Sequence, residues 1–111
     1  MNVRFSDRHI RFRVTQPELA RLLAGRPLTL DVPMPKAHQF RASIGVTAIG
    51  NWQLDSDPTG LWLSLPKTDL ETLSQTMPSK IGLEHTFALD GHSLGVAVEV
   101  DVRKERERQA A

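Results

Sequence analysis

Apolar residues alternate with polar ones at the start of the chain: Val3 and Phe5, then Ile10, Phe12 and Val14, set against Asn2, Arg4, Arg11 and Arg13. A period of two is the mark of a strand with one face buried, because successive side chains point to opposite sides of a pleated backbone. The stretch Ser6-Asp7-Arg8-His9 between the two runs reads as a short hairpin loop. If Phe5 pairs with Ile10, Arg4 falls opposite Arg11, and like charges directly opposite are unfavourable unless something neutralises them.

At Thr15 the period changes. Thr15-x-x-Glu18 has the form of a capping box, in which the Thr15 hydroxyl accepts from the Glu18 amide while the Glu18 carboxylate reaches back to the Thr15 amide. Pro17 suits a first helical turn, where its missing donor is not needed. Leu19, Leu22 and Leu23 recur at helical spacing and Gly25 ends the helix.

Beyond Pro27 the alternation returns in Leu28–Val32, and Pro33–Lys36 is expected to break that strand. Gln39–Thr47 reads as another strand with Phe40, Ala42, Ile44 and Val46 on one side. Ile49–Leu54 reads as a shorter one, and Asp55–Gly60 as a loop.

The next stretch repeats the plan of the first at an offset of 51 residues. Ile10, Phe12 and Val14 match Leu61, Leu63 and Leu65, Glu18 matches Asp69, Leu19 and Leu22 match Leu70 and Leu73, and Val3 matches Leu54. Ile81–Leu89 and Ser93–Val102 then read as two strands joined by Asp90-Gly91, a strong hairpin turn. Leu94, Val96, Val98, Val100 and Val102 face one way, and Glu99 and Asp101 the other. Those acids would neutralise the crowded arginines if the last strand lay beside the first hairpin.

The pattern predicts an α+β fold, largely antiparallel sheet with two short helices on one side, and an internal ββαββ duplication. Residues 1–102 are expected to form one domain, with pseudo-repeats at 1–47 and 50–102, followed by a flexible polar tail at 103–111.

Composition narrows the function more than it names one. The 111 residues hold no cysteine, which removes disulfides, thiolate zinc sites and a cysteine nucleophile. No apolar run approaches the roughly 20 residues of a membrane helix, and Met1–His9 has no signal-peptide core, so a cytoplasmic protein with no membrane contact is expected. The net charge is +1, but residues 1–30 carry six arginines against Asp7 and Glu18. That asymmetry suits either an anionic partner or internal pairing with the acidic remainder.

Catalytic patterns are missing. Neither a Gly-x-Ser-x-Gly elbow nor a phosphate-cradling glycine loop is present, and the carboxylate pairs Asp55/Asp57 and Asp69/Glu71 belong to a turn and a helix start. His85 and His92 flank the Asp90-Gly91 turn and read as exposed hairpin histidines rather than metal ligands. No enzyme activity, cofactor or metal is expected.

Two surfaces remain. Arg4, Arg8, Arg11 and Arg13, which Arg41 could join, project from one hairpin and suit phosphates, but the near-neutral charge and the lack of interleaved aromatics weaken a nucleic-acid reading. Trp62 stands on the polar face of its strand, either covered by another part of the chain or marking a subunit contact. The leading expectation is a protein-interaction or self-associating module. Nucleic-acid binding through the arginine hairpin comes second.

Val3, Arg4, Phe5, Ile10, Arg11, Arg13, Val14, Thr15 and Glu18 together resemble the opening of a family of small, functionally uncharacterised bacterial proteins, which carry Ile-Arg-x-Arg-[Leu/Val]-Thr-x-x-Glu. The resemblance returns faintly at Leu61–Pro66 and Leu94–Val102 and implies no known activity. The family often has Gly-Asn-Ser in the first turn, where this chain has Ser6-Asp7-Arg8. A looser likeness, over the first 30 residues or so, is to the swapped-hairpin DNA-binding domains of transition-state regulators and antitoxins, and likeness of fold does not carry function.

Overall fold

A computed structural model describes residues 1–48 and 50–102. The expected tail at 103–111 lies outside the described residues. The elements run β1 (Asn2–Ser6), β2 (His9–Thr15), α1 (Gln16–Leu23), β3 (Leu28–Met34), β4 (His38–Thr47), β5 (Gln53–Asp57), β6 (Gly60–Pro66), α2 (Lys67–Thr76), β7 (Gly82–Leu89) and β8 (His92–Asp101). Together they give the expected α+β class.

The strands form two four-stranded sheets rather than one. The first has the order β1-β2-β8-β7 and the second β3-β4-β6-β5. Every hairpin is antiparallel, but the central pairs are parallel: β2 with β8, and β4 with β6. Each sheet therefore joins a hairpin from the N-terminal half to one from the C-terminal half. A parallel pair cannot be closed by a tight turn and needs a long crossover, which here is the intervening chain with its helices.

The order strand-strand-helix-strand-strand occurs twice, and the registers agree. Asn2↔Arg13 to Ser6↔His9 in the first hairpin become Gln53↔Ser64 to Asp57↔Gly60 in the third, each residue shifted by 51. The parallel pair His9↔Gly95 through Thr15↔Asp101 has its counterpart in Gly60↔Arg41 through Pro66↔Thr47.

The correspondence departs from 51 after the helices. Helix α2 is longer than α1, and the Pro35–Ala37 turn shrinks to Asp90-Gly91 in the last hairpin. Gly60 is required in this plan, because a Cβ there would collide with the Arg41 backbone carbonyl on the neighbouring strand.

Both sheets turn their apolar faces to one core. Ile10, Phe12 and Val14 of β2 meet Leu61, Leu63 and Leu65 of β6, Val96, Val98 and Val100 of β8, and Leu19, Leu22, Leu70 and Leu73 from the two helices. All of these are buried, and no polar or charged residue is buried among the described residues.

Two strand boundaries differ from expectation. Strand β3 continues through Pro33 to Met34 because it is a sheet edge, where a proline can face away from the ladder without removing a bond. Strand β5 lies at Gln53–Asp57, so it shares Gln53 and Leu54 with the strand expected at Ile49–Leu54 and runs on into the expected Asp55–Gly60 loop, leaving only Pro58 and Thr59 as the turn. Its polar residues face outward on an edge strand, so only Leu54 carried an apolar signal.

The capping box forms as predicted. The Glu18 amide donates to Thr15 Oγ1 at 3.2 Å, and the Thr15 amide donates to Glu18 Oε1 at 2.9 Å. The Met1 amino group donates to Glu18 Oε2 at 2.6 Å. Helix α2 has Pro66 at its N-cap and no side-chain cap. There Asp69, the counterpart of Glu18, accepts from Trp52 Nε1 at 2.9 Å, and Trp52 is the counterpart of Met1. In each half, the residue before the first strand is tied to the acid in the helix's first turn.

Burial alone would raise the Glu18 pKa, but hydrogen bonds from the Met1 amino group and Thr15 outweigh it and hold the carboxyl below its ordinary value. A lowered folded-state pKa adds stability that is fully present above the ordinary value of 4.5 and is lost as pH falls through the folded value. Glu18→Gln should therefore lower the melting temperature at pH 7, and the gap to the wild type should close as pH drops below 4.5. A gap that stays constant from neutral to acid pH contradicts this role. Thr15→Ala should cost about 1 kcal/mol in denaturant unfolding.

Candidate functional site

The outer face of the first sheet follows from the alternation that builds the core. With Ile10, Phe12 and Val14 turned inward, His9, Arg11 and Arg13 must point outward, and the parallel register sets them beside Gly95, Ala97 and Glu99. The hairpins extend each row. Arg4, Arg11, Ala97 and Glu84 lie in one row across the sheet, and Asn2, Arg13, Glu99 and Gly82 in the next. One half of this face is basic and the other acidic.

Like charges do meet as expected, with Arg4 directly opposite Arg11. Relief comes from β8: Glu99 Oε1 lies 3.2 Å from Arg11 Nε. Beside them His9 Nε2 lies 3.2 Å from Glu84 Oε1, reaching from β2 past β8 to β7. Gly95 makes room for this reach, since a Cβ there would come within 2.8 Å of the His9 ring.

Relief is incomplete. The Nε atoms of Arg11 and Arg13 are buried without a hydrogen-bond partner, so the Arg11–Glu99 contact is an ion pair without hydrogen-bond geometry. Among the described residues Arg4, Arg8 and Arg13 have no carboxylate partner. Arg8 sits in the β1–β2 turn with φ 59°. A cleft of about 570 Å³ opens between the two halves, lined by His9, Arg11, Lys80, Glu84 and Glu99 over a floor that includes Ala97.

The structure thus brings Arg4, Arg11 and Arg13 onto one face and adds His9, Lys80, Glu84 and Glu99. Sequence reasoning missed Glu84, whose signal was only the outward parity of β7, and Lys80, which precedes that strand and carried no signal. Arg41 does not join the arginines. It belongs to the second sheet and donates to Asp31 through Nε at 2.7 Å, which pushes its pKa further up.

Trp62 also stands on the second sheet, on the outer face of β6, beside Ser43 and Asp55 of the neighbouring strands. No described segment covers it fully, and it remains 37% exposed. His85 differs from expectation. It lies within β7 on the inward side, where its ring stacks on Trp52 with centroids 5.4 Å apart, while His92 is exposed. The parity of β7, rather than its nearness to the turn, decides where the ring goes. Among the described residues no group of three or more histidines and carboxylates is placed to hold a metal ion. No helix among them is long and apolar enough to cross a membrane.

Arg11 and Glu99 are 43% and 27% exposed at the side chain, so their attraction is partly screened and each matters mainly as the other's partner. Double-mutant cycles with Arg11→Gln and Glu99→Gln should give a favourable coupling of about 0.5 kcal/mol that shrinks in high salt. Glu99→Gln alone should destabilise more than Arg11→Gln, because it leaves three arginines facing one another. Equal effects, or no coupling, would contradict the pairing.

No curated protein matches the chain. A family model does match, over residues 1–110, and its description is a family of unknown function, DUF7009. With nearly the whole length covered, the chain belongs to the DUF7009 family.

Proposed function

We propose that the protein is a binding module that associates with a second copy of itself through the outer face of its first sheet. The observation that carries this is the division of that one face into a basic half on β1 and β2 and an acidic half on β8 and β7. A two-fold axis parallel to the strands, lying between β2 and β8, would bring Arg4 over the second copy's Glu84 and Arg13 over its Glu99. A self-complementary surface of this kind is what a closed dimer needs.

The face is about 20 Å on a side, from four strands and their rise per residue. That area supports a weak contact held largely by charge, and such a contact is salt-sensitive. Arg4 and Glu84 lie on the outer strands of the sheet, so reversing them tests the contact without touching the core.

Nucleic-acid binding is the second reading. It is favoured by Arg4, Arg8 and Arg13 standing without carboxylate partners among the described residues. Glu84 and Glu99 on the same face oppose a phosphate backbone crossing it.

Sedimentation at low salt should show concentration-dependent dimers that dissociate as salt is raised. Arg4→Glu and Glu84→Arg should each shift the protein to monomer, and the double variant should recover the dimer. A wild type that stays monomeric over the full concentration range at low salt would sink the proposal. Retardation of mixed-sequence DNA at low salt, lost in Arg13→Ala, would favour the second reading instead.

A further inference from the structure

The second sheet carries a different kind of surface, independent of the self-association just proposed. Its outer face around the outward position of β6 is built from small and polar residues: Thr29, Ser43, Gly45, Gly60 and Ser64, with Asp55 directly across from it on β5. Onto this floor the chain sets one large aromatic residue, Trp62. Its counterpart in the first half is Arg11, so the repeated strand plan does not require an indole here.

A cleft of about 230 Å³ lies beside it, lined by Asp31, Gln39, Arg41, Thr59 and Trp62. The polar groups of this cleft are held in place. Arg41 donates to both Asp31 oxygens, at 2.7 Å from Nε and 3.4 Å from Nη2, so guanidinium and carboxylate form one fixed planar unit. Thr59 is fixed in its turn by donating to Asp57 through its amide at 2.7 Å and its hydroxyl at 2.6 Å. The Arg41 amide donates to the Thr59 carbonyl at 2.9 Å.

Three ligand classes suit an exposed indole, and the cleft separates them. A protein anchor is surrounded by apolar side chains at the centre of an interface, whereas every other lining group here is polar. A cation over the ring could draw on Asp55, which stands opposite Trp62 on β5, but among the described residues lining the cleft the acid is Asp31, which Arg41 already pairs, and that guanidinium repels a second cation.

A neutral ring with an apolar face and polar edges fits both parts. Its C–H bonds lie against the electron-rich indole face, and its hydroxyls, each donor and acceptor, meet the remaining Arg41 donors, the Asp31 lone pairs and the Gln39 amide. The volume is below the range of drug-sized pockets and suits a single ring. We infer that the Trp62 cleft is a binding subsite for a neutral pyranose sugar.

The test is a titration of the ¹⁵N-labelled protein with methyl glucoside, methyl galactoside, maltotriose and chitotriose, reading the two indole N–H signals. Trp52, whose indole donates to Asp69, serves as the internal reference for an intact fold. At least one sugar should move the Trp62 signal saturably in the millimolar range and leave Trp52 in place. Trp62→Ala should abolish the shifts of neighbouring amides, and Gln39→Ala should weaken binding several-fold with the Trp52 signal unchanged. The inference is overturned if none of the sugars moves Trp62, or if arginine amide shifts it saturably where the sugars do not.

Discussion

Parallel pairing between strands from opposite halves is the constraint on which the rest of this structure hangs. Strand β2 lies beside β8, and β4 beside β6, so neither half closes a sheet by itself. A hairpin alone is marginal in water because one face stays wet and two edges stay open. Here each hairpin gains a third and fourth strand only by joining one from the other half. The buried rows of β2, β6 and β8 then share one core with the two helices.

The same pairing decides the chemistry of the surface. Because side chains alternate, the register that buries Phe12 against Val98 also sets Arg13 beside Glu99 and Arg11 beside Ala97. The basic stripe that looks like an anion site in the sequence is thereby given an acidic neighbour. The acids do not cancel it. Glu99 serves Arg11, and Arg13 keeps a buried Nε without a hydrogen-bond partner. A face with both signs and incomplete internal pairing has unused donors to offer, which is the basis of the proposed binding role.

Much of this was legible from alternation. The strand-to-helix junction at Thr15, the Arg4–Arg11 clash and the aspartate-glycine turn each follow from local rules and each appears in the structure. What local rules could not reach was the partner of each strand. Period two says which residues face inward, but not whether a neighbour runs parallel or antiparallel, so one sheet was expected where there are two. Strand β5 shows the limit in reverse. Asp55–Asp57 look like a loop, so the strand read at Ile49–Leu54 reached only Gln53 and Leu54 of β5, and the 51-residue echo linking Val3 to Leu54 was the other mark of it. For the candidate site, Arg4, Arg11 and Arg13 were visible because they interrupt a strong pattern. Glu84 on edge strand β7 and Lys80 in the segment before it were not, because ordinary charges carry no signal until the register of the strand places them.

The β2–β8 pairing can be read directly from backbone proton contacts in solution. Nuclear Overhauser effects between β2 and β8 should follow the evenly spaced, slanted pattern of a parallel ladder, with Phe12 next to Val98 and Val14 next to Val100. If those contacts are absent, or if they show close α-proton pairs as in an antiparallel ladder, the two halves do not interlock in this way. The charge-divided face would then lose its basis.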